Sequence, residues 1–329
     1  MLKVCLDFFG FFLVFKMFVE DFLWNKNLSC KDFVSRLGRV GFQSVELKRA
    51  ADVVVKMKKS GAKVFLTFTS NMVTSGLRGF FAQLVRLKLV DVIVTTTGAI
   101  EEDIMRAFGE KFFVGSFRSD DVALYEQGVN RVGNLFISNE SYAKFEAKIK
   151  GFLGDCFSAK PRWPVSELLR EIGLKLDDVD SFLFQAAKND VPVFCPGITD
   201  GAFGFHLFLF QQTHKDFVVD VVKDFANIVF SSNQDMKKGG IILGGGISKH
   251  HAIFSCLING GLDFAVYLTT SNPASGSMSS ATTSEAKSWG KIRDDSDAVT
   301  VFGDVSITFP LMMSFALEVL SDEGLIEDE

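Results

Sequence analysis

The sequence predicts an α/β fold in which a largely parallel central sheet carries helices on both faces. Three observations lead there. Short apolar runs of strand length alternate with longer amphipathic stretches through most of the 329 residues. The runs are continuously apolar rather than alternating, as strands covered on both faces require. Nearly all of them end in Ser, Thr, Gly or Asp, which gathers polar turns at the sheet end where open α/β folds bind ligands.

The strand runs are KVFLTF (63–68), VDVIVTT (90–96), VPVFCP (191–196), GIILGG (240–245), FAVYLTT (264–270) and AVTVF (298–302). Helices are expected near 44–59, 75–88, 100–107, 165–172, 178–189, 215–229 and 249–258, where apolar periodicity or a capping residue marks them. SAKPRWP (158–164) reads as a surface crossover and SNPASGSMSSATTS (271–284) as a mobile loop. Strands on both sides of the crossover are needed to complete one sheet. Residues 41–329 are therefore expected to form a single catalytic domain, preceded by an apolar extension over residues 1–40.

Composition bounds the function. A hydrophobic content of 47% supports a sizeable core. The 35 basic against 40 acidic residues, net charge −5, argue against a nucleic-acid surface and suit cationic partners. Five cysteines without a C-x-x-C pair indicate neither a disulfide framework nor a metal site, and fit a reducing cytoplasm. The start MLKVCLDFFGFFLVFKMFVEDF is apolar, but Asp7 and Lys16 interrupt it and no small-residue cleavage site follows. An apolar helix packed on the body or on a neighbouring subunit is the expectation. No later run reads as long and apolar enough to span a bilayer. The 36 Phe against three Tyr have no functional account.

Several polar clusters can do chemistry. GGGISKHH follows a strand run and precedes a helix, so its backbone N–H groups can face phosphate, although the spacing is not G-x-G-x-x-G. Thr95, Thr96, Thr97 and Gly98, with Ser70, Asn71 and Thr74, offer groups for a ribose or pyrophosphate at two other strand ends; singly, each is as well explained as a helix cap. Glu101, Glu102 and Asp103 are expected to open a helix, where its dipole accounts for at least one of them, and the others could receive an amine. Asp200 in GITDG is ambiguous between cap and ligand contact. His250 and His251 are an isolated pair of the kind that is more often structural, and their place beside the glycine turn makes one of them a candidate general base. SEAKSWGKIR (284–293) combines Glu285, Trp289 and Lys291, where an aromatic face and burial can keep a lysine neutral enough to form an imine. Out of context, a lysine there would be a surface residue.

Taken together, TSN, TSGLR, VDVIVTTTGAIEED, NRVGNL, ITDG, IILGGGISKHH, SEAKSWGKIR and VFGDVS resemble successive motifs of the deoxyhypusine synthase family, in family order, from Gly41 to Leu320. The resemblance implies Rossmann-like subunits in a homotetramer, with NAD and spermidine held at sites shared across dimer interfaces. It puts Ser70, Asn71, Thr74, Thr96, Thr97, Gly98, Glu102, Asp200, Gly245, Thr270, Ser271, Asp304 and Val305 at NAD positions. Glu101, Glu102, His250, Gly276, Ser277, Glu285, Trp289 and Lys291 fall at spermidine positions. Lys291 matches the imine-forming lysine and His250 the base. The implied reaction passes an aminobutyl group from spermidine, through Lys291, to a lysine of the hypusine-containing translation initiation factor and releases 1,3-diaminopropane.

Two positions depart from the family pattern. Phe205 stands where an acid often follows the TDG motif, and Met278 follows Gly276 and Ser277 where some members have Asp. Both read as features of an archaeal-type variant, since SWGK, KHH and EED remain. Homospermidine synthase, which uses putrescine as acceptor, and a non-catalytic NAD-binding paralogue are the alternatives. An unrelated Rossmann-type protein would not carry the ordered motifs.

Overall fold

The computed structural model describes residues 18–327. In chain order its strands are β1 (Lys63–Thr67), β2 (Val92–Val94), β3 (Phe113–Val114), β4 (Val129–Val132), β5 (Leu135–Ser138), β6 (Arg162–Trp163), β7 (Val193–Phe194), β8 (Val218–Val219), β9 (Lys238–Leu243), β10 (Leu262–Thr269) and β11 (Ile292–Phe302). The six runs read from the sequence all enter one parallel sheet, ordered β11-β10-β9-β1-β2-β7. The chain builds outward from β1 through β2 to β7, then returns to β9 and builds the other way. Its direction of growth therefore reverses between β1 and β9, which opens a crevice beyond their carboxyl ends.

Alternate side chains of each strand enter two separate cores. Phe65, Val92, Val94, Ile242, Ala265 and Tyr267 face the helices Val221–Phe230 and Gly246–Ile258. Val64, Leu66, Ile93, Ile241 and Val266 face the larger core, built on Phe42–Lys59, Arg78–Arg86, Thr97–Ala107 and Val305–Asp322. Much of the phenylalanine belongs to this second core. Phe81 stacks on Phe68 with ring centroids 4.1 Å apart, and Phe182 and Phe309 meet the pair at 5.3 Å and 5.6 Å, so these rings tie three helices to the end of β1.

Several boundaries differ from the sequence reading. The stretch expected as a helix over 75–88 starts instead with a short turn at Ser70–Met72 and a π-helical turn at Val73–Leu77. Gly76 there takes φ 95°, which only glycine adopts without strain. The helix proper is Arg78–Arg86. The helix expected over 100–107 begins earlier, at Thr97. Those expected over 178–189 and 215–229 shorten to Phe182–Lys188 and Val221–Phe230, each starting where Ser181 or Asp220 accepts a cap hydrogen bond. The loop expected over 271–284 contains a 3₁₀ turn at Pro273–Ser275 and a ladder of serine hydrogen bonds.

Beside the main sheet lie an antiparallel sheet, β3-β5-β4, and a parallel pair, β6 with β8. The helix Cys30–Leu37 packs on Phe42–Lys59 and Val305–Asp322 through the buried Val34. The apolar start of the chain, residues 1–17, lies outside the described residues. One reading needs correction: Val305–Asp322 is long and apolar enough to span a bilayer by length and composition. Its Phe309, Met312, Met313, Ala316 and Leu320 are all buried in the protein's own core, which accounts for the apolar content.

Candidate functional site

The crevice between β1 and β9 is lined by Thr69, Asn71, Gly244, Thr270, Ser271, Asp304 and Val305, from the carboxyl ends of β1, β9, β10 and β11. Gly244 and Gly246 take φ 79° and 74°, so this turn can be made only by glycine without strain. Gly245 fits for a different reason: a Cβ there would lie 2.6 Å from the Ser279 Cβ. The Gly246 N–H donates to Ser279 Oγ at 2.8 Å. Asp304 caps the helix Val305–Asp322, its carboxylate accepting from the Ser306 N–H at 2.8 Å, and the Thr69 hydroxyl holds the Asn71 side chain. Hydroxyls, a carboxylate and bare glycine backbone around an open crevice are the donor set that a ribose and a pyrophosphate call for.

The ends of β1 and β2 close the next part. The Ser70 N–H donates to Thr96 Oγ1 at 3.0 Å, so Thr96 links two loops rather than capping its own helix. Gly98 allows that approach, since a Cβ would sit 2.7 Å from Ser70 Cβ. Thr97 Oγ1 donates to the Gly197 carbonyl at 2.6 Å. The π-helical turn then places Thr74 so that its hydroxyl bonds both the Ser70 carbonyl, at 3.0 Å, and the Glu102 carboxylate.

The three consecutive acids were expected to open their helix. They do not. Because the helix begins at Thr97, they lie in its second turn, beyond the reach of the dipole argument, and steps of about 100° per residue send them to three environments. Asp103, wholly buried, accepts from Arg78 Nε at 2.7 Å, the Ser181 hydroxyl at 2.7 Å and the Leu183 N–H at 3.0 Å. It is structural. Glu101 accepts the Phe203 N–H at 2.9 Å, which caps the helix Ala202–Thr213 where Gly201 offers no side chain. Burial pushes Glu101 up from the usual carboxylate range, with a smaller push from Asp200, exposed in the turn alongside. Glu102 is the acid with the fewest partners. Burial raises it to about 8, against the Thr74 hydrogen bond, and the charge of Glu101 adds to the rise.

On the other face of the sheet a cationic cluster forms between the helices Gly246–Ile258 and Thr283–Ser288. Lys291 is not a surface residue: it is 4% exposed, with Nζ 5.1 Å from the ring centroid of Trp289, which is itself 60% exposed. Its carbonyl accepts the Leu262 N–H at 3.0 Å. The Lys291 backbone therefore sits at the amino end of β10 and β11, while its side chain acts on Lys249 and His250 in the first turn after the glycine turn. Burial pushes the Lys291 ammonium down, while Glu285 works the other way. His250, stacked on Phe254, is pushed down by burial and by Lys291, so its ring is neutral at physiological pH. Gly276, at φ 66°, and Ser277 belong to the serine loop that leads into this cluster.

Phe205 and Met278, the two departures, are both solvent-facing. Phe205 lies beside Phe208 on the outer side of the helix Ala202–Thr213. Three contributors were missed in the sequence: Thr69, Arg78 and Lys249. SKHH flagged the neighbourhood of Lys249, but its burial depends on Tyr267 across the sheet, which no local pattern reveals. Among the described residues no group of His, Cys, Asp and Glu is arranged to hold a metal ion.

The chain matches the family description "Deoxyhypusine synthase" over residues 32–316. It is 38% identical to a probable deoxyhypusine synthase of Thermoplasma volcanium, covering 90% of this chain and 96% of that protein. It is 35% identical to the deoxyhypusine synthase of Kluyveromyces lactis, covering 88% of each. The crystal structure of a putative deoxyhypusine synthase from Entamoeba histolytica superposes with a TM-score of 0.65 at 29% identity, covering 92% of this chain and 97% of that one.

Proposed function

The chain belongs to the deoxyhypusine synthase family, and from that premise we propose that it transfers the aminobutyl group of spermidine, through Lys291, to a lysine of the hypusine-containing translation initiation factor. The observation that carries this reading is the burial of Lys291 against Trp289, with its ammonium pushed down. A lysine must lose its proton to become a nucleophile, and burial favours that loss.

NAD is the proposed cofactor. The crevice fits it through the glycine turn that a Cβ would block and through the hydroxyls and carboxylate around it. Asn71, Gly245, Thr270, Ser271, Asp304 and Val305 would hold one part, and Ser70, Thr74, Thr96, Thr97, Gly98, Glu102 and Asp200 the other. When bound, NAD supplies hydride acceptance from spermidine and hydride return to the product.

The chain's own residues do the rest. Neutral His250 accepts the proton released from the spermidine amine. The Lys291 amine adds to the substrate imine carbon; the bond from that carbon to the substrate nitrogen breaks, 1,3-diaminopropane leaves, and the butyl imine remains on Lys291. Trp289 offers its face to the cationic chain. Glu101, Glu102, Glu285, Gly276 and Ser277 would hold the amines. With Phe205 and Met278 in place of acids, the buried carboxyls must neutralise more of the charge. Assembly as a homotetramer with sites at dimer interfaces, a role for residues 1–40 on a neighbouring subunit, a single domain over 41–329 and a cytoplasmic location complete the proposal. The exposed Phe205, Phe208 and Trp289 support shared interfaces.

The test uses full-length protein, NAD and spermidine labelled in its butyl portion, with borohydride trapping and peptide mapping. Label on Lys291 is expected, followed by transfer to the translation factor. Transfer to putrescine alone would make the enzyme a homospermidine synthase. NAD binding without any label would reduce it to a non-catalytic paralogue.

Glu102 gives a further expectation. With its folded value near 8, above the ordinary value of 4.5, Glu102 is largely protonated at neutral pH. The native state then binds a proton more tightly than the unfolded chain. Its favourable contribution is complete below about pH 4.5 and is lost as pH rises through about 8. Glu102→Gln should therefore flatten the fall in stability across that window in urea titrations of the cofactor-free protein. An arriving ammonium should also expel the proton. Calorimetry in buffers of different ionisation enthalpy should record release of up to about one proton on spermidine binding at neutral pH, and E102Q should abolish it.

A further inference from the structure

The reaction proposed above gives no task to Lys249, yet this lysine is only 2% exposed. Burying an ammonium is costly unless its donors are used. Lys249 Nζ donates to the Ala281 carbonyl at 2.6 Å and the Ser279 carbonyl at 3.2 Å, and it lies 4.4 Å from the ring centroid of Tyr267. Both carbonyls belong to the segment that carries Gly276 and Ser277 and runs into the helix bearing Glu285. The same Ser279 meets the glycine turn, accepting from Gly246 and packing on the bare Gly245. One short segment thus touches the cofactor crevice on one side and leads to the lysine cluster on the other. Lys249 is the cation that fixes it.

We propose that Lys249 is a positioning residue of the aminobutyl-transfer site: it fastens the 272–282 loop to the glycine turn and places a fixed positive charge near Lys291. The inference rests on the function proposed above. Tyr267 faces Lys249 from β10, Glu285 and Lys291 act on it from the following helix and loop, and His250 is its neighbour in sequence. Burial first, and Lys291 second, push Lys249 down to about 8, with Glu285 opposing, so it still carries charge at neutral pH. Repulsion between two ammonium groups is mutual. The carbonyls hold the proton on Lys249, whereas Lys291 has the ring of Trp289. A charge held on Lys249 by the carbonyls therefore works against a second charge on Lys291, the amine that must react.

Borohydride trapping of labelled spermidine on Lys291 across about pH 6 to about 10 tests this in the full-length protein with NAD. In K249M the label formed at about pH 7.5 should fall roughly tenfold and the pH midpoint should move in the alkaline direction, with NAD affinity measured in parallel as the folding control. K249R keeps charge and donors and should retain the wild-type midpoint. An unchanged midpoint in K249M, or a shifted one in K249R, overturns the proposal. Wild-type protein supplies a second reading: small acylating reagents should leave Lys249 unmodified while the fold persists, and rapid modification overturns the fastening role. Absence of label on Lys291 in the wild type would instead defeat the functional reading itself.

Discussion

Replacing Lys291 by Ala is expected to lower aminobutyl transfer by at least about a thousandfold while changing NAD affinity by less than about threefold. The split follows from geometry. The Lys291 backbone lies at the amino end of β10 and β11, and its side chain is not among the residues that line the crevice. Removing the amine deletes the atom that bonds to the aminobutyl group and leaves the glycine turn, Thr270, Ser271 and Asp304 untouched. Lys291→Arg sharpens the test, because a guanidinium keeps a positive charge in much the same space but stays protonated and forms no imine. Both variants should be comparably inactive in a radiolabel transfer assay and comparably competent in NAD titration by fluorescence. Transfer within tenfold of wild type in either one would remove Lys291 from the mechanism.

The largest effect on stability is expected from Arg78→Leu. Asp103 has no access to water, and Arg78 Nε, 2.7 Å away, is its one cationic partner among the described residues; the other end of the same guanidinium meets Asp178 at 2.6 Å. Breaking a buried pair by removing one member typically costs about 3–5 kcal/mol, because the remaining charge is left without compensation. Asp103 is already raised above the ordinary carboxylate value, by burial against the pull of Arg78. Without Arg78 it should rise further and take up a proton. A carboxyl with a raised folded value loses its favourable contribution as pH increases, so R78L should be more damaging at about pH 8 than at about pH 5. Urea denaturation at the two pH values measures this directly. The double variant R78L/D103L should recover part of the loss, since it removes the fully buried charge and leaves only the partly exposed Asp178 without its partner; if the double change costs as much as the two singles summed, the pair is not coupled as described.

The sequence disclosed the main sheet because its strands are buried on both faces, and continuous apolar runs such as KVFLTF and GIILGG admit few other readings. The helices it concealed had physical reasons to be hidden. Ala202–Thr213, AFGFHLFLFQQT, is apolar on nearly every side and shows no 3.6-residue stripe. Val305–Asp322 holds Pro310, which reads as a break, yet the helix runs on through it. Asn139–Ala159 is interrupted by Gly151 and Gly154. At the site, glycines and hydroxyls at strand ends were readable because topology gathers strand ends. The different fates of Glu101, Glu102 and Asp103 were not, since each depends on a partner 25 to 102 residues away: Phe203, Thr74 or Arg78. Nor could sequence alone show that Lys249 is enclosed, because the enclosing groups come from a neighbouring strand and a distant loop.

Glu101 is one carboxylate with two claimants. It terminates the helix Ala202–Thr213, whose outer side presents Phe205 and Phe208, and by the reading proposed here it also greets an ammonium of the polyamine. These duties draw on one carboxylate charge, and an ammonium that takes up that charge weakens what the Phe203 N–H receives at Oε2. Occupancy of the polyamine site would then loosen the first turn of that helix, and departure of the diamine would let it re-form. Hydrogen exchange at the Phe203 amide should quicken when spermidine binds, turning a helix end into a reporter of how full the site is.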